Sequence, residues 1–141
     1  MNTSLQILLG FLLLLLTVAG CTPLRQDFPA PEPARTTTAA SMLLEQAKAQ
    51  AGAGQFDQAG ATLERALRIE PHNPLLWQEL ARVRINQGQY RQAENLAAKS
   101  NALAGDHRQM QARNWQIIGQ ARTRLGDPQG AKAAFERAGE L

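Results

Sequence analysis

Cysteine is almost missing from this chain of 141 residues: Cys21 is the only one. An intrachain disulfide is therefore impossible, and a multi-cysteine metal site is excluded. Histidine is nearly as scarce. His72 and His107 have no second histidine at ligand spacing, and both fall where helices are expected to join, so they read as surface loop residues and no metal is expected. Aromatics make up 5% of the chain, so any core must be built from Ala, Leu and a few rings. Such a core suits helices, because Ala costs least in a helix and lets helices approach closely. No block of like charge occurs: acidic and basic residues interleave after residue 40 and leave a formal net charge of +3, which argues against a nucleic-acid partner. No Ser–His–Asp set and no Gly-rich phosphate loop are visible. The chain reads as a non-enzyme with no cofactor and no small-molecule substrate. A lipid or glycan carrier would need an apolar cavity, and an Ala-rich stack is not expected to offer one.

What the chain does have begins at its N-terminus. Residues from Leu5 to Gly20 are almost wholly apolar, with Leu12 to Leu16 at the centre. The run is shorter than the ~20 residues a spanning helix needs and fits the apolar core of an export signal closed by small residues. The segment Val18-Ala19-Gly20-Cys21 resembles the lipobox of bacterial lipoproteins. The resemblance implies cleavage before Cys21 and a covalent lipid on its sulfur and new amino group. Several acyl chains anchor stably, since each buried methylene contributes ~0.8 kcal/mol and one chain alone is marginal. Thr22 stands where an Asp would favour inner-membrane retention, so the same resemblance implies an outer-membrane location facing the periplasm. After this signal (1–20), residues 21–40 read as the lipidated Cys and a Pro/Thr-rich disordered linker. Pro29, Pro31 and Pro33 favour extended polyproline, and Thr36-Thr37-Thr38 offers nothing for a core. At ~3.1 Å per residue this tether would reach ~60 Å.

Self-similarity governs the remainder, 41–141. Gly54-Gln55-Phe56-Asp57-Gln58-Ala59 returns 34 residues later as Gly88-Gln89-Tyr90-Arg91-Gln92-Ala93, and 38 residues after that as Gly126-Asp127-Pro128-Gln129-Gly130-Ala131. In each copy the Gly ends one helix, the ring or Pro starts the next, and the Ala lets the two touch. Trp77, Leu80 and Ala81 precede the second turn, and Trp115, Ile118 and Gly119 the third. Leu43, Gln46 and Ala47 hold the equivalent places before the first. Leu63, Ala66 and Pro71 follow the first turn, and Phe135 and Ala138 the third. This pattern resembles the tetratricopeptide repeat. It implies an all-α solenoid of about three helix pairs, in units near 41–73, 74–107 and 108–141. The expected helices lie near 41–53, 57–69, 74–87, 91–104, 108–125 and 128–140. The register makes Trp77 and Trp115 core residues, and four extra residues at Gly105-Asp106-His107-Arg108 lengthen the second junction.

Tetratricopeptide stacks bind peptides or partner domains in a groove lined by the first helix of each unit. Carried over by register, that groove comprises Leu44 and Lys48, then Gln78, Arg82, Ile85 and Asn86, then Arg113, Gln116 and Gln120. Cations and amides suit an acidic or polar extended segment, since Arg can fork onto a carboxylate. A lipobox, a Pro-rich tether and a compact repeat domain together resemble the pseudomonad-type lipoprotein activators of bifunctional class A penicillin-binding proteins. That resemblance implies a periplasmic or membrane protein partner and regulation of peptidoglycan synthesis. A pilotin-like lipoprotein or a general assembly scaffold is the alternative.

Overall fold

Helix boundaries follow from the recurring turn. The computed structural model describes residues 33–141, with side chains from residue 39. The export signal and Cys21 therefore lie outside the described residues. Six helices are described: α1 (Pro33–Gly52), α2 (Phe56–Ile69), α3 (Pro74–Asn86), α4 (Tyr90–Leu103), α5 (Arg108–Leu125) and α6 (Pro128–Gly139). At the turn inside each pair the Gly takes the left-handed conformation, with φ of 76° at Gly54, 74° at Gly88 and 79° at Gly126. The next N–H then reaches back to a carbonyl five residues earlier. Gln55 bonds to Gln50, Gln89 to Arg84 and Asp127 to Arg122, each at 2.9 Å. This pairing closes the last carbonyls of a helix, and it works only where a positive φ is cheap. The Ala of each copy is buried behind the turn: Ala59 and Ala93 at 0% exposure, Ala131 at 4%.

Two helices start on a side-chain cap followed by Pro. Asn73 accepts from the Leu75 N–H at 3.0 Å, and Asp127 from the Gly130 N–H at 2.9 Å. Pro128 thus substitutes for the aromatic of the other copies without loss of the helix start, because its fixed φ suits the first helical position.

The first helix departs from expectation. It begins at Pro33 rather than near residue 41, so residues 33–40 belong to α1 and not to the linker. Pro33 stands at a helix start, where it is tolerated, and Ala34, Ala39 and Ala40 are strong helix formers. Each Thr costs only tenths of a kcal/mol against Ala, and Ala40 is buried at 1% exposure.

The helices pair as α1·α2, α3·α4 and α5·α6, and each pair packs on the next through α2·α3 and α4·α5. The first helices also touch across units, α1 with α3 and α3 with α5, whereas among the described residues α2 does not reach α4, nor α4 α6. First helices crowd on the inside of the stack and second helices splay on the outside. One core cluster gathers Leu44, Leu63, Leu67, Leu76, Leu80 and Val83 across the first two units, and a second gathers Ala81, Ala97, Ile117, Ile118 and Ala134 across the last two.

Candidate partner-binding groove

On the crowded side, two adjoining depressions run along the first helices and share Glu79 and Arg82. Lys48, Phe56, Arg82 and Asn86 line the first, of ≈ 420 Å³. Gln78, Arg82, Arg113, Gln116 and Gln120 border the second, of ≈ 380 Å³. Of the sequence-expected groove residues, Lys48, Arg82, Asn86, Arg113, Gln116 and Gln120 are exposed. Their spacing explains why they share a surface: Arg82 and Asn86, and Gln116 and Gln120, stand four apart on one helix face.

Three expected residues are placed otherwise. Leu44 is 7% exposed and belongs to the first core cluster. Ile85 is half-buried and packs against the second cluster. Gln78 reaches the edge of the groove but is buried at 2% exposure, its amide committed to Asn114 Oδ1 at 2.8 Å and the Met110 carbonyl at 3.2 Å. The reason lies in the register. Leu44, Gln78 and Gln116 are equivalent, and this position faces the following unit. Leu44 meets unit two, Gln78 meets unit three, and no described helix packs beyond Gln116. Met42, Leu76 and Asn114 form the complementary set, which faces the preceding unit. Met42 has no described unit before it and is 69% exposed, whereas Leu76 and Asn114 are 0% exposed.

The groove is polar and partly self-neutralised. Lys48 pairs with Glu45 at 2.8 Å and Arg82 with Glu79 at 2.9 Å, both within one helix. Asn86 donates to the Arg82 carbonyl at 2.9 Å. Arg113 has no ion pair among the described residues, so it is the cation most available to an incoming carboxylate. Glu79, which the repeat register does not place in the groove, lines both depressions, and its charge three residues before Arg82 is the sequence signal for it.

The aromatic positions are edges of the core rather than its centre. Trp77 and Trp115 are both half-buried, packed against the first and second clusters respectively. Trp77 donates its indole N–H to the Pro71 carbonyl at 2.8 Å, and the Arg137 guanidinium lies 4.8 Å from the Trp115 ring centre. The outer side also carries an open apolar depression of ≈ 520 Å³, lined by Trp77 and Leu80. It opens where the second helices splay, a feature of stacking geometry that composition does not reveal. Among the described residues no helix is long and apolar enough to cross a bilayer, and no group of three or more His, Cys, Asp or Glu could hold a metal.

Family comparisons agree with this geometry. Descriptions of the tetratricopeptide repeat match residues 50–113 and 112–141. No curated protein gives a match. Among solved structures, the globular C-terminal domain of P. aeruginosa LpoP is 39% identical, with a TM-score of 0.70 over 72% of this chain and 95% of that one. The N-terminal domain of stress-induced protein-1 (STI-1) from C. elegans shares the fold at 18% identity, with a TM-score of 0.67 over 73% of this chain and 84% of that one. The second repeat domain of Spaghetti (RPAP3), bound to an HSP90 peptide, shares it at 22% identity, with a TM-score of 0.69 over 77% and 96%. Proteins of this fold are typically interaction modules that bind protein partners rather than catalysts. The chain belongs to the tetratricopeptide-repeat family, as a protein-interaction module.

Proposed function

We propose that this chain is a lipid-anchored activator of a peptidoglycan synthase, a bifunctional class A penicillin-binding protein. It is held at the periplasmic side of the outer membrane through Cys21 and engages the synthase through the Lys48–Arg82–Arg113 groove. The observation that carries the reading is the 39% identity to the globular domain of LpoP over 95% of that domain, joined to the lipobox at Val18–Cys21. The protein is no catalyst in this reading. It contributes location and contact, with Arg113 as the uncompensated cation offered to an acidic partner segment. Because α1 starts at Pro33, the tether in this reading is residues 22–32 rather than 22–40.

The test is reconstitution of the full chain with a purified class A synthase, following glycan polymerisation. Faster polymerisation that is lost in Arg113→Glu supports the reading, and no binding or no rate change overturns it. The anchor is tested by labelled palmitate, which Cys21→Ser should no longer incorporate. Equal labelling of the variant removes the lipidation claim.

A further inference from the structure

The outer side of the stack carries a second surface of different chemistry, and α3 is common to both. Trp77, Leu80 and Arg84 lie along one face of α3, and Glu79, Arg82 and Asn86 along another. A step of two residues turns ~200° round a helix, so these faces point nearly opposite ways. The cavity over Trp77 lies between α2 and α4, whose backbones do not come close, and Leu67, Pro71 and Leu96 add to its apolar lining.

The charge of its rim is unbalanced. Arg84 is held by Glu64 and, at 2.6 Å, by Gln87, so its charge is matched within the fold. Arg68 lies at the rim, exposed, with no ion pair among the described residues. From α4 the exposed amides of Gln92 and Asn95 border the opening, as peptide-pairing groups would. The floor differs from its counterpart one unit on. Trp115 sits under Arg137, whereas no cation stands over the Trp77 ring among the described residues. The Trp77 N–H is already bonded to Pro71, which fixes the indole and leaves it only apolar surface to offer.

We infer that this cavity is a second docking site, taking a segment of a partner protein in which an apolar anchor side chain stands beside a carboxylate. The anchor fills the space over Trp77 and Leu80, the carboxylate meets Arg68, and the amides of Gln92 and Asn95 pair with the segment's backbone. A site of ≈ 520 Å³ falls within the range that buries a small ligand or a side-chain anchor, ~300–1,000 Å³. The inference does not depend on the synthase reading, because groove and cavity lie on different sides of α3. With two such surfaces the module can hold two segments at once.

The probe is a fluorescein-labelled peptide with one Phe–Leu pair among glutamates, titrated onto the full chain in detergent micelles and followed by anisotropy. Two matched peptides replace the Phe–Leu pair by Ser–Ser, or the glutamates by lysines. The first peptide is expected to bind saturably and more tightly than either matched peptide. Arg68→Glu should weaken it about tenfold, equivalent to ~1.4 kcal/mol, and Asn95→Trp should block it by filling the opening. Melting curves of both variants should match the parent, since both positions are exposed. No saturable binding, equal binding of either matched peptide, or a larger loss with Arg113→Glu than with Arg68→Glu overturns the inference.

Discussion

The two junctions of the stack set opposite chemistry at one pair of equivalent positions. At the first, Leu44 of α1 and Leu76 of α3 share one apolar cluster. At the second, the equivalent residues are Gln78 and Asn114, joined by a hydrogen bond of 2.8 Å. Asn114 also donates to Ser100 Oγ at 2.8 Å and to Asn101 Oδ1 at 2.9 Å, and the Ser100 hydroxyl in turn donates to the Pro74 carbonyl at 2.8 Å. Each junction also carries one Arg–Glu tie from an equivalent arginine: Arg84 to Glu64, and Arg122 to Glu94 at 2.7 Å. The fold therefore specifies where units meet, through turns and small residues, and leaves open what holds them. Burial stabilises the first junction without strict direction. The second gains little net per bond, ~1 kcal/mol, but penalises any misalignment that orphans a buried amide.

Importing one junction's chemistry into the other breaks the comparison most severely. Leu76→Asn should lose the ~2–5 kcal/mol of a buried Leu and add ~1–3 kcal/mol for an amide with no partner. Urea unfolding should then find the chain close to unfolded at room temperature; a loss below that of Leu76→Ala would mean that polar groups reach the first junction. Asn114→Leu comes next. It strands the Gln78 amide on the longer Met110 bond and should cost ~2–3 kcal/mol. Adding Gln78→Leu should return part of that loss, because both partners are then apolar, as Leu44 and Leu76 are. An additive double variant would show that the two side chains are not coupled.

Much of this architecture was legible from the sequence. The Gly–aromatic–Ala copies set three turns and the paired helices, since each residue acts locally through φ, ring or size. The junctions were not legible. Nothing local distinguishes Gln78, buried against α5, from Gln116, which occupies the same register and stays in solvent. What decides is whether a described unit packs on that face. Leu44 reads as a groove residue for the same reason, and Pro33–Ala40 reads as linker because Thr and Pro are poor helix formers, whereas the burial of Ala40 is a tertiary property.

A smaller effect probes packing inside the last pair. A Cβ at Gly119 would come within 2.6 Å of the Phe135 ring, so Gly119→Ala should destabilise by ~1 kcal/mol, at the low end for overpacking. Phe135 is 43% exposed and has room to swing out. Phe135→Leu should therefore recover most of the loss in thermal melts. No recovery would place the strain in the helix backbone instead.

The smallest stability effect carries the most about function. Arg82 stands four residues after Gln78, on the same face of α3, yet its side chain is 62% exposed while that of its ion-pair partner Glu79 is 13% exposed. Arg82→Glu removes an exposed pair and sets a carboxylate three residues from Glu79. The stability change should stay within ~0.5–1 kcal/mol, whereas Gln78→Ala, one turn earlier, should cost ~1–3 kcal/mol because it leaves the Asn114 carbonyl without its donor. In a binding assay the order should reverse. Arg82→Glu replaces an attraction for an acidic partner by a repulsion and should lose binding with its melting temperature lowered by a few degrees at most, while Gln78→Ala should bind normally below its melting temperature. If Arg82→Glu binds as the parent does, the surface of α3 that partners read is the Trp77 face, and the groove is only a solvated row of first helices.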